Sequence, residues 1–366
     1  MEIRADAPAL GAVVHPPIGP IGDLTLVDVG ASGGIADHWR AFGDSLRAVG
    51  FDPLVTNMRK MAAAETRPKV TYESAFVGCR DFDALFPPAE RQVTVDPYRR
   101  VSSTRAQELM HVDFVADHFN EGDEMVWADR RLTLDEYFAD PAALDYLKVD
   151  TDGSDLQVLL GADRLLKGGA FLAVLIEAQF QGSPHDYANT FANIDRLLRA
   201  RGFALYDLDR NRYTRAALPG LFELDMTAQT HTGQVLWGDA LFFRDLAQPQ
   251  YESTWGYQVT RERLLKQVAL FELHRLPDCA AELLLAYPAL TTKAERTTLL
   301  DLLVRSAGFD TTYEEHLRRF EQRTESFFPR SYAKPPAPAP PVPVPPARRL
   351  RRLAGRVKRK LLGAVS

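Results

Sequence analysis

The feature that most constrains the fold is an alternation, from about residue 24 to residue 245, of short apolar runs with amphipathic helical segments. Five of these runs have the length and β-branched content of buried strands: 24–29, 45–51, 70–77, 144–149 and 170–176. Such an order predicts an α/β fold, with a doubly wound, mostly parallel sheet and helices on both faces. Two later runs, 203–208 and 234–244, are expected to close the sheet as antiparallel strands.

The chain changes character after residue 250. Residues 251–330 have helical periodicity, interrupted at Pro277, Pro288 and Gly308, and are interpreted as a helical appendage to a domain spanning 1–250. Residues 331–347 are proline-rich and are interpreted as a stiff linker. Residues 348–366 hold eight Lys or Arg and no acid, with apolar residues at helical spacing. This tail is expected either to bind an anionic membrane surface or to remain a solvated, disordered segment.

Charge and composition exclude several classes of function. The net charge is −5, and without the basic tail residues 1–347 carry 36 basic and 49 acidic side chains, a net of −13. A body this acidic is not expected to bind nucleic acid. The two cysteines, Cys79 and Cys279, have no metal-ligand spacing and are expected to be reduced. With neither a signal-like start nor a membrane-length apolar run, the protein is predicted to be cytoplasmic, and membrane binding by the basic tail would make it peripheral at the inner membrane face.

A glycine-rich segment follows the first strand directly: Asp28-Val29-Gly30-Ala31-Ser32-Gly33-Gly34. Glycine permits a sharp turn there and lets a ligand approach the backbone. Since an acid opens the motif, a phosphate-bearing ligand is disfavoured, whereas a ligand with a sulfonium and an ammonium group is compatible. The alternative is a tight turn without a ligand.

Asp52 ends the second strand, 18 residues after Gly34. Folds of this type place an acid there to bind ribose hydroxyls. The alternative is an aspartate that forms a turn before Pro53. Together with the preceding loop, Asp52 predicts a site for an adenosyl ligand, with Asp28, Gly30, Ala31, Ser32, Gly34 and Asp52 as cofactor-binding residues.

Several separated stretches over roughly residues 24–245 resemble the FkbM-type methyltransferase family. The stretches are Val27–Gly34, Phe51-Asp52-Pro53, Ser102-Ser103, Thr133–Glu136, Leu147–Asp155 with the following Val158–Ala162, and Asp239–Phe243. Aspartate stands where the family has glutamate at 52, 152 and 155. The resemblance implies a class I, Rossmann-like methyltransferase fold, S-adenosylmethionine as methyl donor, and O-methylation of a sugar, glycan or related small polar acceptor.

Three residues are candidates for catalysis. Asp150 and Glu177 follow the fourth and fifth strands, where doubly wound sheets bind ligands. Asp150 is expected to act as base or to hold the acceptor, unless it or Asp152 caps the next helix. His185 lies on the loop after the fifth strand and is either a base or a surface histidine, and His231 is a weaker rival.

Three further hypotheses concern the same site. Phe76 is a candidate for packing the adenine ring, although strand aromatics usually belong to a core. A Mg²⁺ held by Asp150, Asp152 and Glu177 is possible, but no metal is predicted. Alternatives to the methyltransferase are a non-catalytic binding module that presents the helical appendage to a partner, and an oxidoreductase that handles nucleotide sugars.

Overall fold

The computed structural model describes residues 3–15, 18–91, 125–140, 144–220 and 229–322. The chain forms two units, residues 1–313 and residues 314–366. In the described part of the second unit, Arg318 and Arg319 both pair with Glu315 on the helix Tyr313–Glu321. The Ser102-Ser103 pair, the linker 331–347 and the tail 348–366 lie outside the described residues, so the role of the tail stays a prediction.

The first unit contains a mixed sheet whose strands follow the predicted runs. Its strands are β1 (Leu24–Val29), β2 (Leu46–Asp52), β3 (Val70–Ser74), β6 (Tyr146–Val149), β7 (Ala173–Gln179), β8 (Phe203–Leu208), β9 (Asn211–Tyr213) and β10 (Gln234–Arg244). The order across the sheet is β3-β2-β1-β6-β7-β10-β8, with β9 paired to β10. Strands β3, β2, β1, β6 and β7 are parallel to one another. The predicted doubly wound, mostly parallel sheet is confirmed.

The closure of the sheet differs from the prediction in one respect. β10 lies between β7 and β8 and is antiparallel to both, so β8 runs in the same direction as β7. The expectation of an antiparallel strand is therefore correct for 234–244 and wrong for 203–208. The reason is connectivity: the helix Phe191–Arg199 crosses from β7 to β8 and so brings β8 in parallel, and β10 then returns between them.

Two predicted elements are divided. The run 70–77 ends as β3 at Ser74, and β4 (Phe76–Val77) pairs instead with β5 (Arg131–Leu132) in a separate two-stranded sheet. The predicted helix over 154–166 is two short helices, Asp155–Leu160 and Asp163–Lys167. They separate at Gly161, where a Cβ would lie 2.0 Å from the carbonyl oxygen of Gly78.

Most of the remaining helices belong to the first unit. The other α-helices are Pro8–Val14, Val55–Ala64, Phe82–Leu85, Leu134–Tyr137, Phe191–Arg199, Tyr251–Trp255, Arg261–Leu273, Pro277–Ala286, Lys293–Ser306 and Tyr313–Glu321. Short 3-10 helices span Asp37–Ser45, Pro88–Glu90 and Pro288–Leu290. Among the described residues, no helix combines the length and apolarity that crossing a membrane requires.

Both faces of the sheet are covered, because successive strand residues point to opposite sides. On one face, buried residues such as Leu26 and Phe243 form a core with the helices Pro8–Val14 and Arg261–Leu273. On the other face, Val27 and Phe242 pack with the helices between residues 155 and 199. The helices between residues 251 and 306 thus share their core with the sheet.

A buried ion pair joins the helix Arg261–Leu273 to the sheet. Lys266 Nζ lies 3.0 Å from Asp145 Oδ2, and the two side chains are 6% and 1% exposed. Asp145 also accepts a hydrogen bond from the Thr25 amide at 2.9 Å. The pair fixes the helix at the amino end of β6, on the edge of the sheet away from the glycine-rich loop.

Candidate functional site

The glycine-rich loop turns tightly across the ends of two neighbouring strands. Gly30 has φ +92°, and a Cβ on it would lie 1.7 Å from the carbonyl oxygen of Asp150. The amides of Gly30 and Ala31 both donate to the carbonyl of Phe51, at 2.8 and 3.0 Å. The Asp150 amide donates to Val29 at 2.9 Å. Only glycine permits this approach, so the loop is fixed against both β2 and β6.

Tyr72, Glu65 and Arg67 anchor the loop where it ends. The Tyr72 hydroxyl accepts from the Ile35 amide at 3.1 Å and donates to Glu65 at 3.0 Å. Arg67 donates to the Ile35 carbonyl at 2.9 Å and to Glu65 at 2.6 Å. Hydrogen bonds from Arg67 lower the pKa of Glu65 to about 2. Both polar groups of the Ile35 backbone are thereby held, and the end of the loop is rigid.

The cofactor-binding candidates gather at this loop. Ala31 is buried, Ser32 and Gly33 are exposed, and Gly34 has φ +80°. Where a Cβ would stand on Gly33 there is no atom within 4 Å, so the tip of the loop borders open space. The exposed tip is where a ligand can reach the backbone.

Asp52 forms a turn and also lies at the edge of the sheet that carries the glycine-rich loop. Its Oδ1 accepts from the Leu54 amide at 2.8 Å, which is the turn before the following helix. Burial raises the pKa of Asp52, and the charge of Asp152 adds to that shift. The charge of Asp52 also raises the pKa of Asp28. The side chain therefore faces the same edge as the loop while one of its oxygens forms the turn.

Lys148 links the carboxylates of two adjacent strands. Asp28 and Lys148 are partners in the β1–β6 register, and Nζ lies 3.2 Å from Asp28 Oδ1 and 3.4 Å from Asp150 Oδ2. Asp28 is 2% exposed, and burial raises its pKa to about 6 against the opposing charge of Lys148. Burial lowers the pKa of Lys148, but the two carboxylates outweigh it and raise that pKa above its usual value.

Glu177 and Asp239 complete an acidic cluster beside Asp150. Burial, reinforced by a hydrogen bond with Asp150, raises the pKa of Glu177 far above its usual range. Because Val149 and Ile176 are register partners, Asp150 and Glu177, which follow them, are neighbours at the carboxyl ends of the two strands. Asp239 is the register partner of Glu177 on β10, and burial followed by the charge of Asp150 raises its pKa to about 6. The predicted pair of Asp150 and Glu177 is thus brought together.

The loop after β6 is organised by Asp155 and not by Asp150 or Asp152. Asp155 is fully buried and accepts from the Thr151 amide at 2.9 Å, the Thr151 hydroxyl at 3.0 Å and the Asn189 amide side chain at 2.9 Å. Asn189 in turn accepts from the Leu156 amide at 2.8 Å, in the first turn of the helix. The helix-capping alternative for Asp150 and Asp152 is therefore wrong.

His185 and Phe76 have partners outside the acidic cluster. The His185 ring stacks on Phe86 at 4.3 Å and its Nε2 lies 3.2 Å from Glu90. The Phe76 ring stacks on Trp127 with centroids 6.2 Å apart, and the Arg131 guanidinium lies 4.8 Å from its centre. The structure does not bring either side chain against Asp150, and His231 is exposed in the turn before β10.

Two contributors, Lys148 and Asp239, are not among the site residues that the sequence predicts. Lys148 lies in the resembling stretch Leu147–Asp155 and Asp239 in the stretch Asp239–Phe243. Their signal lies in strand register, because Asp28 faces Lys148 and Glu177 faces Asp239 across neighbouring strands. Within the described residues, no group of three or more His, Cys, Asp or Glu is arranged to hold a metal ion, and this includes Asp150, Asp152 and Glu177.

Comparison with solved structures gives matches to methyltransferases at low similarity. An S-adenosylmethionine-dependent methyltransferase from Aquifex aeolicus is 8% identical, with 61% of this chain and 85% of that chain covered and a TM-score of 0.25. One from Mesorhizobium loti is 12% identical, with 66% and 98% covered and a TM-score of 0.27. The precorrin-6y C5,15-methyltransferase from Geobacter metallireducens GS-15 is 11% identical, with 61% and 80% covered and a TM-score of 0.26.

Comparison with curated proteins gives no match. Residues 126–205, by contrast, match the model of the methyltransferase FkbM domain. That range contains β6, β7, Asp150 and Glu177, whereas the glycine-rich loop, Asp52 and β10 lie outside it. The predicted family resemblance is confirmed over this range. The chain therefore contains, at residues 126–205, a segment that matches the methyltransferase FkbM domain.

Proposed function

We propose that this protein is an S-adenosylmethionine-dependent methyltransferase that transfers a methyl group to a hydroxyl oxygen of a sugar, glycan or related small polar acceptor. The observation that carries the proposal is the Asp150–Glu177 pair, held by Lys148 at the carboxyl ends of β6 and β7. An alcohol must lose a proton as its oxygen is methylated, and a positioned carboxylate can accept that proton.

The charges at this edge fit S-adenosylmethionine. Asp28, Asp52 and Asp150 surround the glycine-rich loop, and the cofactor carries a positive sulfonium and an ammonium group but no phosphate. Asp28 and the loop from Gly30 to Gly34 would hold its amino acid part, and Asp52 would accept from its ribose hydroxyls. When bound, the cofactor supplies a methyl group on a positively charged sulfur.

In this proposal each residue of the pair has its own task. Asp150 accepts the proton of the acceptor hydroxyl as the new carbon–oxygen bond forms. Glu177, protonated, donates a hydrogen bond to Asp150 and orients it, which makes Glu177 a positioning residue. Lys148 holds Asp150 from the opposite side and keeps it next to Asp28. Positioning of the acceptor and removal of its proton are the two contributions that the protein makes to such a displacement.

Aromatic side chains near the Asp150–Glu177 pair are consistent with a polar, ring-shaped acceptor. Trp237 lies two residues before Asp239 on β10 and therefore points to the same face of the sheet. Its indole nitrogen donates to the Tyr213 hydroxyl at 3.1 Å. Aromatic rings that alternate with a few acidic side chains suit a ligand with apolar ring faces and several hydroxyl groups.

The test compares Asp150→Asn with Asp152→Asn. Asp152 is exposed on the same loop with φ +54°, a conformation that asparagine adopts readily, so it is a matched control. Binding of S-adenosylhomocysteine is measured by calorimetry, and methyl transfer with labelled cofactor onto a panel of monosaccharides and nucleotide sugars. We expect Asp150→Asn to lower the turnover rate by about 100-fold or more with little change in cofactor affinity, and Asp152→Asn to lower it little.

Glu177→Gln separates positioning from proton transfer. The amide keeps a hydrogen-bond donor toward Asp150, so turnover should stay within about tenfold of the original and lose the decline that deprotonation of Glu177 causes at high pH. If S-adenosylhomocysteine fails to bind, the protein is not a methyltransferase, and the alternative of a non-catalytic binding module is favoured. If the cofactor binds but no sugar is methylated, or Asp150→Asn stays fully active, the proposed acceptor chemistry is wrong.

A further inference from the structure

A cavity with a volume of about 350 Å³ lies at the amino ends of the strands, on the edge of the sheet opposite to Asp150. It is bordered by the segments that precede β7 and β8 and by the end of the antiparallel β10. Four cationic and two aromatic side chains line it: Lys167, Arg201, Arg244, Arg263, Trp255 and Tyr257. Among the described residues that line it there is no carboxylate.

Arg244 brings a fixed positive charge to this cavity. Its side chain is 2% exposed and donates to the carbonyls of Leu166 at 2.7 Å, Phe171 at 2.8 Å and Arg201 at 2.9 Å. These acceptors are uncharged, and the guanidinium also lies 4.2 Å from the centre of the Phe203 ring. The contacts satisfy the hydrogen-bond donors of Arg244 without neutralising its charge.

Two neighbouring cations are only partly neutralised. Arg201 and Lys167 share one carboxylate, Asp163, each at 2.5 Å. Arg263 also lines the cavity and donates to the carbonyl of Gly169 at 2.9 Å. The cavity thus has an excess of positive charge in a body that is acidic as a whole.

We infer that this cavity binds a small phosphate ester or pyrophosphate compound. An excess of more than one positive charge favours a multiply charged anion such as a phosphate. Arg244 contributes its charge, since its donors are satisfied by the protein, and the direct donors to phosphate oxygens would be the side chains of Arg201 and Lys167. The volume is at the lower end of the range for small-molecule sites. Trp255, which is 38% exposed, offers an apolar surface for the rest of the ligand. This site is separate from the methyl-transfer site and does not depend on the proposed acceptor.

The first experiment titrates the full-length protein with inorganic pyrophosphate and, in a parallel arm, with citrate. We expect one saturable site per chain that binds pyrophosphate more tightly than citrate. The double variant Lys167→Gln/Arg201→Gln should weaken pyrophosphate binding by about tenfold or more. Arg199→Gln is the matched control, since Arg199 is on the helix before β8, is 65% exposed in its side chain and pairs with Asp195 outside the cavity.

The basic tail is unchanged in all of these variants. A difference in pyrophosphate binding between them therefore comes from the cavity and not from the tail. Equal binding by the double variant and the original protein would overturn the inference, as would the absence of a saturable site. Citrate binding as tight as pyrophosphate would overturn the assignment to phosphate compounds. Thermal unfolding of the double variant close to that of the original protein confirms that any loss of binding is local.

Tryptophan fluorescence gives a second, independent readout. The chain has four tryptophans, and Trp255 is the one in the cavity. Pyrophosphate should change the emission of the original protein, and Trp255→Phe should abolish that change while binding measured by calorimetry persists. A full fluorescence change in Trp255→Phe would place the ligand elsewhere and contradict the inference.

Discussion

Gly30→Ala tests how tightly the glycine-rich loop is held against β6. A Cβ at this position would lie 1.7 Å from the Asp150 carbonyl oxygen, where ordinary contacts are 3.4 Å or longer. The two segments must separate by more than 1 Å, which breaks the hydrogen bond from the Asp150 amide to Val29 at a cost of about 1 kcal/mol. Alanine at φ +92° adds about 1–3 kcal/mol of backbone strain.

We therefore expect Gly30→Ala to lower the free energy of unfolding by about 3 kcal/mol, measured by urea denaturation. Because Asp150 moves with the loop, turnover should also fall by about 100-fold at a pH and temperature where the variant is folded. Gly33→Ala is the matched control: no atom lies within 4 Å of its Cβ position, so stability should change by less than about 0.5 kcal/mol. Equal stability of the two variants would refute the close packing of the loop on Asp150.

Two further predictions concern buried charges. Burial raises the pKa of Asp239 to about 6, so its neutral form stabilises the protein below pH 4, and this contribution is lost as the pH rises through 6. Asp239→Asn should match the original protein at pH 4 and exceed its unfolding free energy at pH 8 by at most about 3 kcal/mol; the opposite order in denaturation curves at pH 8 would contradict the assignment. Lys266→Met leaves Asp145 buried and unpaired, and should cost about 3–5 kcal/mol in the same assay, whereas Lys266→Met/Asp145→Leu should recover most of that loss. A small effect of the single variant would show that the pair is dispensable.

The parts of the fold and site that depend on local sequence could be predicted. Apolar periodicity located the strands, and the spacing from Gly34 to Asp52 placed both at one edge of the sheet. The pairing of Asp28 with Lys148 and of Glu177 with Asp239 could not be predicted, because it depends on register between strands far apart in the sequence.

The features that the sequence did not predict correctly all depend on contacts between residues far apart in the chain. The direction of 203–208 depends on the insertion of β10 beside it, and the partners of His185 depend on the distant segment that holds Phe86 and Glu90. The capping of the helix after β6 comes from Asn189, more than thirty residues later in the chain. Each of these is a tertiary contact that the local pattern does not contain.

The shared core of the sheet and the helix Arg261–Leu273 has a consequence for biosynthesis. All strands of the sheet leave the ribosome before this helix does, so at that stage the face that contains Leu26 and Phe243 can be covered only in part, by the helix Pro8–Val14 and the segment Asp37–Ser45. At roughly 5–20 residues per second, about 1–6 seconds pass between completion of β10 at Arg244 and completion of the covering helix at Leu273. During that interval the nascent chain exposes apolar surface that the finished protein buries.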